Sequence, residues 1–422
     1  MWTKGDNVVA IKKFVNAIVV RREMLTVLVF TIFMTCFVVD STAVAKTYEI
    51  FIITLKIIRY SSYMFFAVKI LLDVLLSRKI SVVMIAIGFL SVIVGVCSKS
   101  FTVIFAALML AAISTIDVRR LIKPVLLTVS IVFFVTVVLS LVGVVPDWTY
   151  IRDDFVRHCL GFTYPTDSFA VYLSVVLMFF AIKGVKVTYV QLGLVEIINI
   201  ALYYLTNGRL SFVLVTATVV LMLVYKLADN IESIGNVIEK VLSNIVVKCC
   251  IMLVPAVLFF LSVAFVFMYK SDNGLANFLN GLLSDRLLYG SNAFMSYPLT
   301  PFGTFVEWQG WGGIGYLQEY PTDFVYNFVD ISYIRIIFDY GIIGSVVILF
   351  GYSRALQRYV DKNDFVMATI LIVVLLWCFV EPVVFSIGKN IFVICLARYM
   401  DGCKISIKPI TFLGNKFEKL LA

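Results

Sequence analysis

The stretch "VDISYIRIIFDYGIIG" (residues 329–344) is apolar enough to cross a bilayer, yet it carries Asp330, Arg335 and Asp339. A charge placed in lipid costs about 2.5–3.5 kcal/mol on insertion scales, so each of the three needs a reason. Arg335 and Asp339 are four residues apart, share a helix face and can pair. A helix starting near Asp330 puts that carboxylate at the water–membrane boundary. At a rise of 1.5 Å per residue, Asp339 then lies about 13–14 Å deeper, close to the midplane. Tyr333 sits one turn below Asp330. The Arg335–Asp339 pair leaves Asp330 unexplained, and Gly341 and Gly344 permit close packing further along the helix.

The rest of the chain has the same apolar character. Of its 422 residues, 62% are hydrophobic and 14% charged, with a mean hydropathy of +1.02. Soluble domains carry about 25% charged residues, so a soluble globule is excluded. The expected fold is an all-α polytopic membrane protein. Twelve spans are expected, near 23–41, 47–69, 80–97, 100–116, 124–145, 165–182, 187–205, 209–228, 248–268, 331–350, 365–386 and 389–403. They form one membrane domain over residues 1–422, with a large extracytoplasmic loop, 269–330, before the last three helices. A second external segment covers 146–164.

With these spans, most lysines and arginines fall on one side. Lys46, Lys99, Arg152, Arg157, Arg209, Lys270, Arg286 and Lys389 fall on the other. The positive-inside rule then places both termini in the cytoplasm. The net charge of +9 is mainly this bias, so no nucleic-acid partner is expected. Met24–Val39 followed by Ala43-Val44-Ala45 imitates a signal peptide, but so many later spans favour an uncleaved first helix. The eight cysteines show no metal spacing. No phosphate-binding Gly-Lys-Ser/Thr loop is present, which argues against ATP-driven transport.

Several polar groups stand out against this background. The long loop is rich in aromatics, Trp308 and Trp311 among them, and holds Asp285, Glu307, Glu319 and Asp323. Such a mixture suits a sugar, and it equally suits an interfacial aromatic belt. Arg152, Arg157, Arg209 and Arg286 are the external arginines, and the planar guanidinium suits bidentate contact with phosphate oxygens. Arg152 alternatively pairs with Asp153 or Asp154. Lys56 and Arg59 share a face of the second span, with Glu196 and Glu381 as potential partners. The only histidine, His158, lacks companions for metal binding.

Four motifs together resemble the bacterial Wzy-type polysaccharide polymerases, relatives of the O-antigen ligases. "RHCLGFTYPTD" (157–167) is similar to an Arg-x-x-Leu-Gly-Phe-x-His-Pro-Asn pattern, and "TNGRLSF" (206–212) to a small-residue–Arg–Leu/Thr–Ser helix start. "DISYIRIIFDYGIIG" (330–344) resembles Asp-Asn-x-Tyr-Leu followed by Gly-x-x-Gly. "FVEPVVFSIGKNIF" (379–392) resembles the Glu-Pro and Gly-x-Asn ending of capsule and exopolysaccharide polymerases. Tyr164, Thr166 and Ile331 depart from the patterns, standing where these have His, Asn and Asn.

The resemblance implies a glycosyltransferase of the cytoplasmic (inner) membrane that acts outside that membrane on oligosaccharide repeat units carried by polyprenyl pyrophosphate. It implies no cofactor or metal, and it implies a chain-length regulator and a flippase as partners in the same pathway. Asp330, Arg209 and Arg286 are the expected catalytic residues, with Asp330 at the position where related ligases have a histidine. Arg157, Arg152, Tyr333, Glu381, Trp308 and Trp311 are expected to bind substrate. The alternatives are a ligase of the O-antigen type, or a flippase or transporter that uses Lys56, Arg59, Glu196 and Glu381 as translocation charges.

Overall fold

In the computed structural model, which describes residues 4–77, 79–152, 154–310 and 326–406, nearly every apolar run is helical. The chain opens with α1 (Lys4–Asp40), α2 (Ala43–Thr47), α3 (Glu49–Ser77), strand β1 (Lys79–Ser81), α4 (Val82–Cys97), α5 (Thr102–Ile113) and α6 (Val118–Leu141). A hairpin of β2 (Thr149–Arg152) and β3 (Phe155–His158) precedes α7 (Pro165–Lys183), α8 (Tyr189–Thr206) and α9 (Arg209–Asn230). Next come α10 (Glu232–Ser243), α11 (Ile245–Lys270), α12 (Gly274–Leu282) and α13 (Arg286–Ser296). The last elements are α14 (Ser332–Asp361), α15 (Phe365–Trp377), α16 (Ala397–Met400) and β4 (Lys404–Ser406). β4 pairs antiparallel with β1, with Lys79 opposite Ser406.

Among the described residues eight helices are long and apolar enough to cross a membrane, as an all-α membrane protein requires. They begin at Arg21, Glu49, Val118, Pro165, Tyr189, Arg209, Ile245 and Ser332. The segments 80–97, 100–116, 365–386 and 389–403, also expected as spans, hold shorter apolar helices: Val82–Cys97, Thr102–Ile113, Phe365–Trp377 and Ile391–Met400. A full crossing takes about 20 helical residues. In 365–386 the shortening has a local cause. Pro382 has no N–H to give to a helix, and the chain from Cys378 to Asn390 runs irregularly. Its polar groups are held by side chains: Ser332 Oγ accepts from Val383 N (2.7 Å) and Val384 N (3.1 Å) and donates to Glu381 O. Asn390 Nδ2 donates to Val383 O at 3.1 Å and Tyr352 Oη at 3.2 Å. The expected loop 269–330 is partly helical, as α12 and α13 lie within it. Trp311, Glu319 and Asp323 lie outside the described residues, as does Asp153.

The core runs through the packed faces of α1, α6, α7, α14 and α15, with Phe30, Phe133, Phe169, Tyr333 and Leu371 fully enclosed. α14 is broken at Gly341, whose φ of 72° is left-handed. The segment around Thr300–Thr304 enters the break and takes up the freed backbone groups. Ile342 N donates to Thr300 O (3.0 Å), Ile343 N to Pro301 O (3.0 Å), and Thr304 N to Phe338 O (2.8 Å). A Cβ on Gly341 would collide with the backbone of Pro301, Phe302 and Gly303. Close packing was the sequence expectation for this glycine; its partner is loop backbone rather than another helix. Gly341→Ala should therefore destabilise the protein by at least about 2 kcal/mol, combining a disfavoured φ with overpacking. Gly88→Ala, where a new Cβ meets nothing within 4 Å, should be neutral or slightly stabilising. Thermal melts in detergent compare the two.

Candidate functional site

Three separate local structures bring arginines to one place. The β2–β3 hairpin carries Arg152 and Arg157, with Arg157 opposite Tyr150 in its register. Arg157 Nε donates to Thr206 O at 2.8 Å, which ties the hairpin to the end of α8. There Asn207 takes a left-handed conformation (φ 49°, ψ 40°) and ends α8, so that Arg209 opens α9. Gly208 between them is pressed against Phe169, which an added Cβ would approach to 2.6 Å. Arg286 opens α13, where Asn280 Oδ1 accepts from Leu287 N and Leu288 N (both 3.0 Å) and caps the helix.

Arg152, Arg157, Arg209 and Arg286 all line one cavity of about 260 Å³, with Lys389, Asp167, Glu381 and Trp377 also in its wall. The cations differ in how they are neutralised. Lys389 Nζ lies 3.1 Å from Asp167 Oδ1, and this carboxylate holds the lysine above its ordinary pKa. Arg286 is gripped by two carboxylates, Glu381 at 3.1 Å and Asp330 at 3.5 Å, although its buried Nε makes no hydrogen bond. Arg152 donates to Ser284 Oγ at 2.7 Å. Arg157 is only 4% exposed. Among the described residues it and Arg209 have no carboxylate within ion-pair distance. Burial pushes the Arg157 pKa down, and the nearby Tyr164 partly restores it. Its guanidinium lies 6.0 Å from the Tyr164 ring centroid.

Asp330 does not cap α14; the cap position is Ile331 and no side chain caps it. Asp330 instead faces Arg286 and accepts a hydrogen bond from Tyr326. Burial pushes the Asp330 and Glu381 carboxyls above the usual carboxylate range, while Arg286 pulls both back. Tyr333 lies outside the cavity, contrary to expectation. It is 0% exposed, and its hydroxyl donates to Leu375 O at 2.8 Å, which joins α14 to α15. Trp308 also lies elsewhere, donating from Nε1 to Asp339 Oδ1 at 2.7 Å. Arg335 pairs with Asp339 at 3.1 Å and covers the rings of Trp308 (5.2 Å) and Phe328 (4.5 Å).

The partners suggested for Lys56 and Arg59 are engaged elsewhere. Arg59 meets Asp40 at 3.3 Å. Glu196 accepts from Thr216 (2.7 Å) and Asn199 (3.2 Å), and Glu381 belongs to Arg286. His158 is held by Asp147 at 2.6 Å, and Asp147 also accepts from Leu160 N at 2.7 Å, so the histidine braces the base of the hairpin. Sequence reasoning passed over Lys389, Asp167 and Trp377. The available signals were a lysine beside Gly388-Asn390 in an apolar run and a carboxylate in the first turn of α7. Among the described residues no three His, Cys, Asp or Glu side chains converge as a metal site. Comparison of the chain with protein-family models, curated proteins and solved structures finds no match.

The raised carboxyls fix the sign of a pH effect. The folded protein holds protons here that the unfolded chain releases. The contribution is full below the ordinary carboxylate range and is lost as pH rises through the raised values. Replacing Asp330→Asn and Glu381→Gln together should remove that component. The gain in melting temperature on going from about pH 7.5 to about pH 5 should be smaller in the double variant than in the parent; equal gains would contradict the assignment.

Proposed function

We propose that the chain is a glycosyltransferase that polymerises oligosaccharide repeat units carried on polyprenyl pyrophosphate at the outer face of the cytoplasmic membrane. The observation that carries this reading is Arg157. A guanidinium so deeply buried without a carboxylate is unfavourable on its own, and Arg209 lines the same cavity with no carboxylate either. Two such cations, with Arg152 and Arg286 beside them, match the charge and oxygen geometry of a pyrophosphate. Trp377 also lines this cavity, and its buried indole Nε1–H makes no hydrogen bond. The bias of lysines and arginines supports cytoplasmic termini, about twelve membrane-embedded segments and an outward-facing cavity.

In the proposed reaction the acceptor hydroxyl attacks the anomeric carbon of the donor glycan. The bond from that carbon to the pyrophosphate oxygen breaks, and polyprenyl pyrophosphate leaves with the electron pair. Arginines already in place stabilise the charge that develops on the leaving group. The hydroxyl proton passes to a carboxylate, for which Asp330 is our assignment. Its raised pKa makes it a stronger base than an ordinary aspartate once ionised. Arg286 can turn from the carboxylates to an arriving phosphate, which would release Asp330 to accept the proton.

Arg209→Ala and Arg157→Ala should each reduce polymerisation by about 10²–10³-fold, the usual effect of removing one preorganised donor. Asp330→Ala should abolish long polymer while leaving the protein inserted. The measurement is polymer length in cells, followed by elongation of lipid-linked oligosaccharide by purified protein. Wild-type chain lengths in all three variants would sink the site assignment. In a deletion strain, single repeat units should accumulate. Full-length unattached polymer would instead identify a ligase.

A further inference from the structure

Beyond its break at Gly341, α14 lines two cavities in succession, both remote from the arginine cavity. The first is a narrow groove of about 70 Å³ between α14, α4 and α5, walled on α14 by Gly344, Val347, Ile348 and Gly351. The second, of about 320 Å³, is walled on α14 by Arg354, Ala355, Arg358 and Lys362. Steps of three and four residues keep Gly344, Ile348, Gly351, Ala355 and Arg358 on one helix face, so the groove leads into the basic pocket. The segment Ile391–Met400 faces α14 along both. Leu396 and Met400 line the groove, Cys395 and Arg398 line the pocket, and Tyr399 lines each. The groove is apolar: Ile87, Leu90, Val94, Val103 and Ala107 complete it, and the hydroxyl of Ser91 donates to Gly88 O at 2.7 Å. Phe89 on α4 and Val346 and Phe350 on α14 are exposed. Phe350 meets the Tyr399 ring at 5.6 Å, so this side of the groove faces the bilayer.

The pocket wall sets four cations, Arg354, Arg358, Lys362 and Arg398, against one carboxylate, Asp361. Arg354 and Lys362 are exposed, and a solvated cation needs no ligand; Arg358 and Arg398 are half-buried. Their place is what matters: they close the polar end of a lipid-facing apolar groove. The Tyr359 Oη–Cys395 Sγ contact at 3.7 Å joins the two walls there. From Gly344 to Arg358 the helix rises about 21 Å, and one leaflet with its headgroups is about 20–22 Å thick. We propose that groove and pocket together hold one anionic glycerophospholipid of the cytoplasmic leaflet, with an acyl chain in the groove and its phosphate on Arg358 and Arg398. Guanidinium groups suit phosphate oxygens, and basic pockets at the cytoplasmic ends of membrane helices favour anionic headgroups. The site uses the cytoplasmic orientation proposed above and is independent of glycan transfer.

The test is native mass spectrometry of the full chain in detergent, titrated with phosphatidylglycerol, with phosphatidylethanolamine of the same acyl chains, and with inorganic phosphate as competitor. The parent should retain phosphatidylglycerol about tenfold more tightly than phosphatidylethanolamine, and Arg358→Gln with Arg398→Gln should remove that preference. Val347→Trp, which fills the groove, should weaken both lipids. Equal affinity for the two lipids in the parent, an unchanged preference in the arginine variant, or no retained lipid at all would overturn the proposal. Sensitivity to the arginines but not to Val347→Trp, with inorganic phosphate displacing the lipid, would show an anion pocket only and overturn it as well. If the arginine variant melts below the parent, Arg354→Gln with Lys362→Gln, confined to exposed side chains, takes its place and should reduce the preference. Neither lipid is a donor or acceptor of the proposed glycan transfer, so a negative result leaves the reading of the arginine cavity standing.

Discussion

An irregular backbone inside an apolar bundle survives only if its N–H and C=O groups find partners within the protein. Two such stretches lie among the described residues, and the candidate site depends on both. Between Cys378 and Asn390, the hydroxyl of Ser332 bonds Glu381 O, Val383 N and Val384 N. Ser332 N in turn donates to Cys378 O at 3.0 Å. One small polar residue at the start of α14 thus sets the path of the segment that carries Glu381 and Lys389. At Gly341 the relation is reversed: the helix is the broken element, and the chain at Thr300–Thr304 completes it. Both arrangements fix the region around α13 and the head of α14 relative to the helices beneath.

Once the backbone is fixed in this way, the charges fall into two kinds. Arg286 and Lys389 are held by carboxylates, so they contribute shape and a reserve of positive charge that can be redirected. Arg157 and Arg209 are positioned by backbone features, a carbonyl at Thr206 and a helix start after Asn207, and keep their charge unmatched. A structural ion network would balance its members. Here balance is achieved on the Arg286 side and left open on the Arg157 side, as expected of a site that completes itself with an anion.

The sequence was most informative where interactions are local. The Arg335–Asp339 pair follows from a spacing of four, and eight of the long apolar runs are helices of crossing length. The arginines could be singled out because cations are scarce on their side of the chain. Their convergence could not be read, because it needs a hairpin, a left-handed helix end and an asparagine-capped helix to meet in space. Tyr333 shows the opposite failure. Its place one turn below Asp330 suggested the site, but the same spacing turns it into the core, where Leu375 O takes its hydroxyl. The other four expected spans hold shorter apolar helices, which hydropathy alone does not assign to lipid, because it registers burial in protein and burial in lipid alike.

The arginines are consequently not interchangeable as probes of the site. Loss of Arg209 removes a cation and leaves no carboxylate without its partner. Loss of Arg286 removes a cation and also leaves Asp330 and Glu381 without the charge that separates them. Each then raises the pKa of the other, and both shift further toward the neutral form. In the proposed reaction, a defect in an Arg286 variant therefore mixes lost anion binding with an altered proton acceptor. The mixture separates with pH: higher pH re-ionises the carboxylates and recovers that part of the loss, whereas a missing phosphate contact at Arg209 is not restored by any change in carboxylate charge.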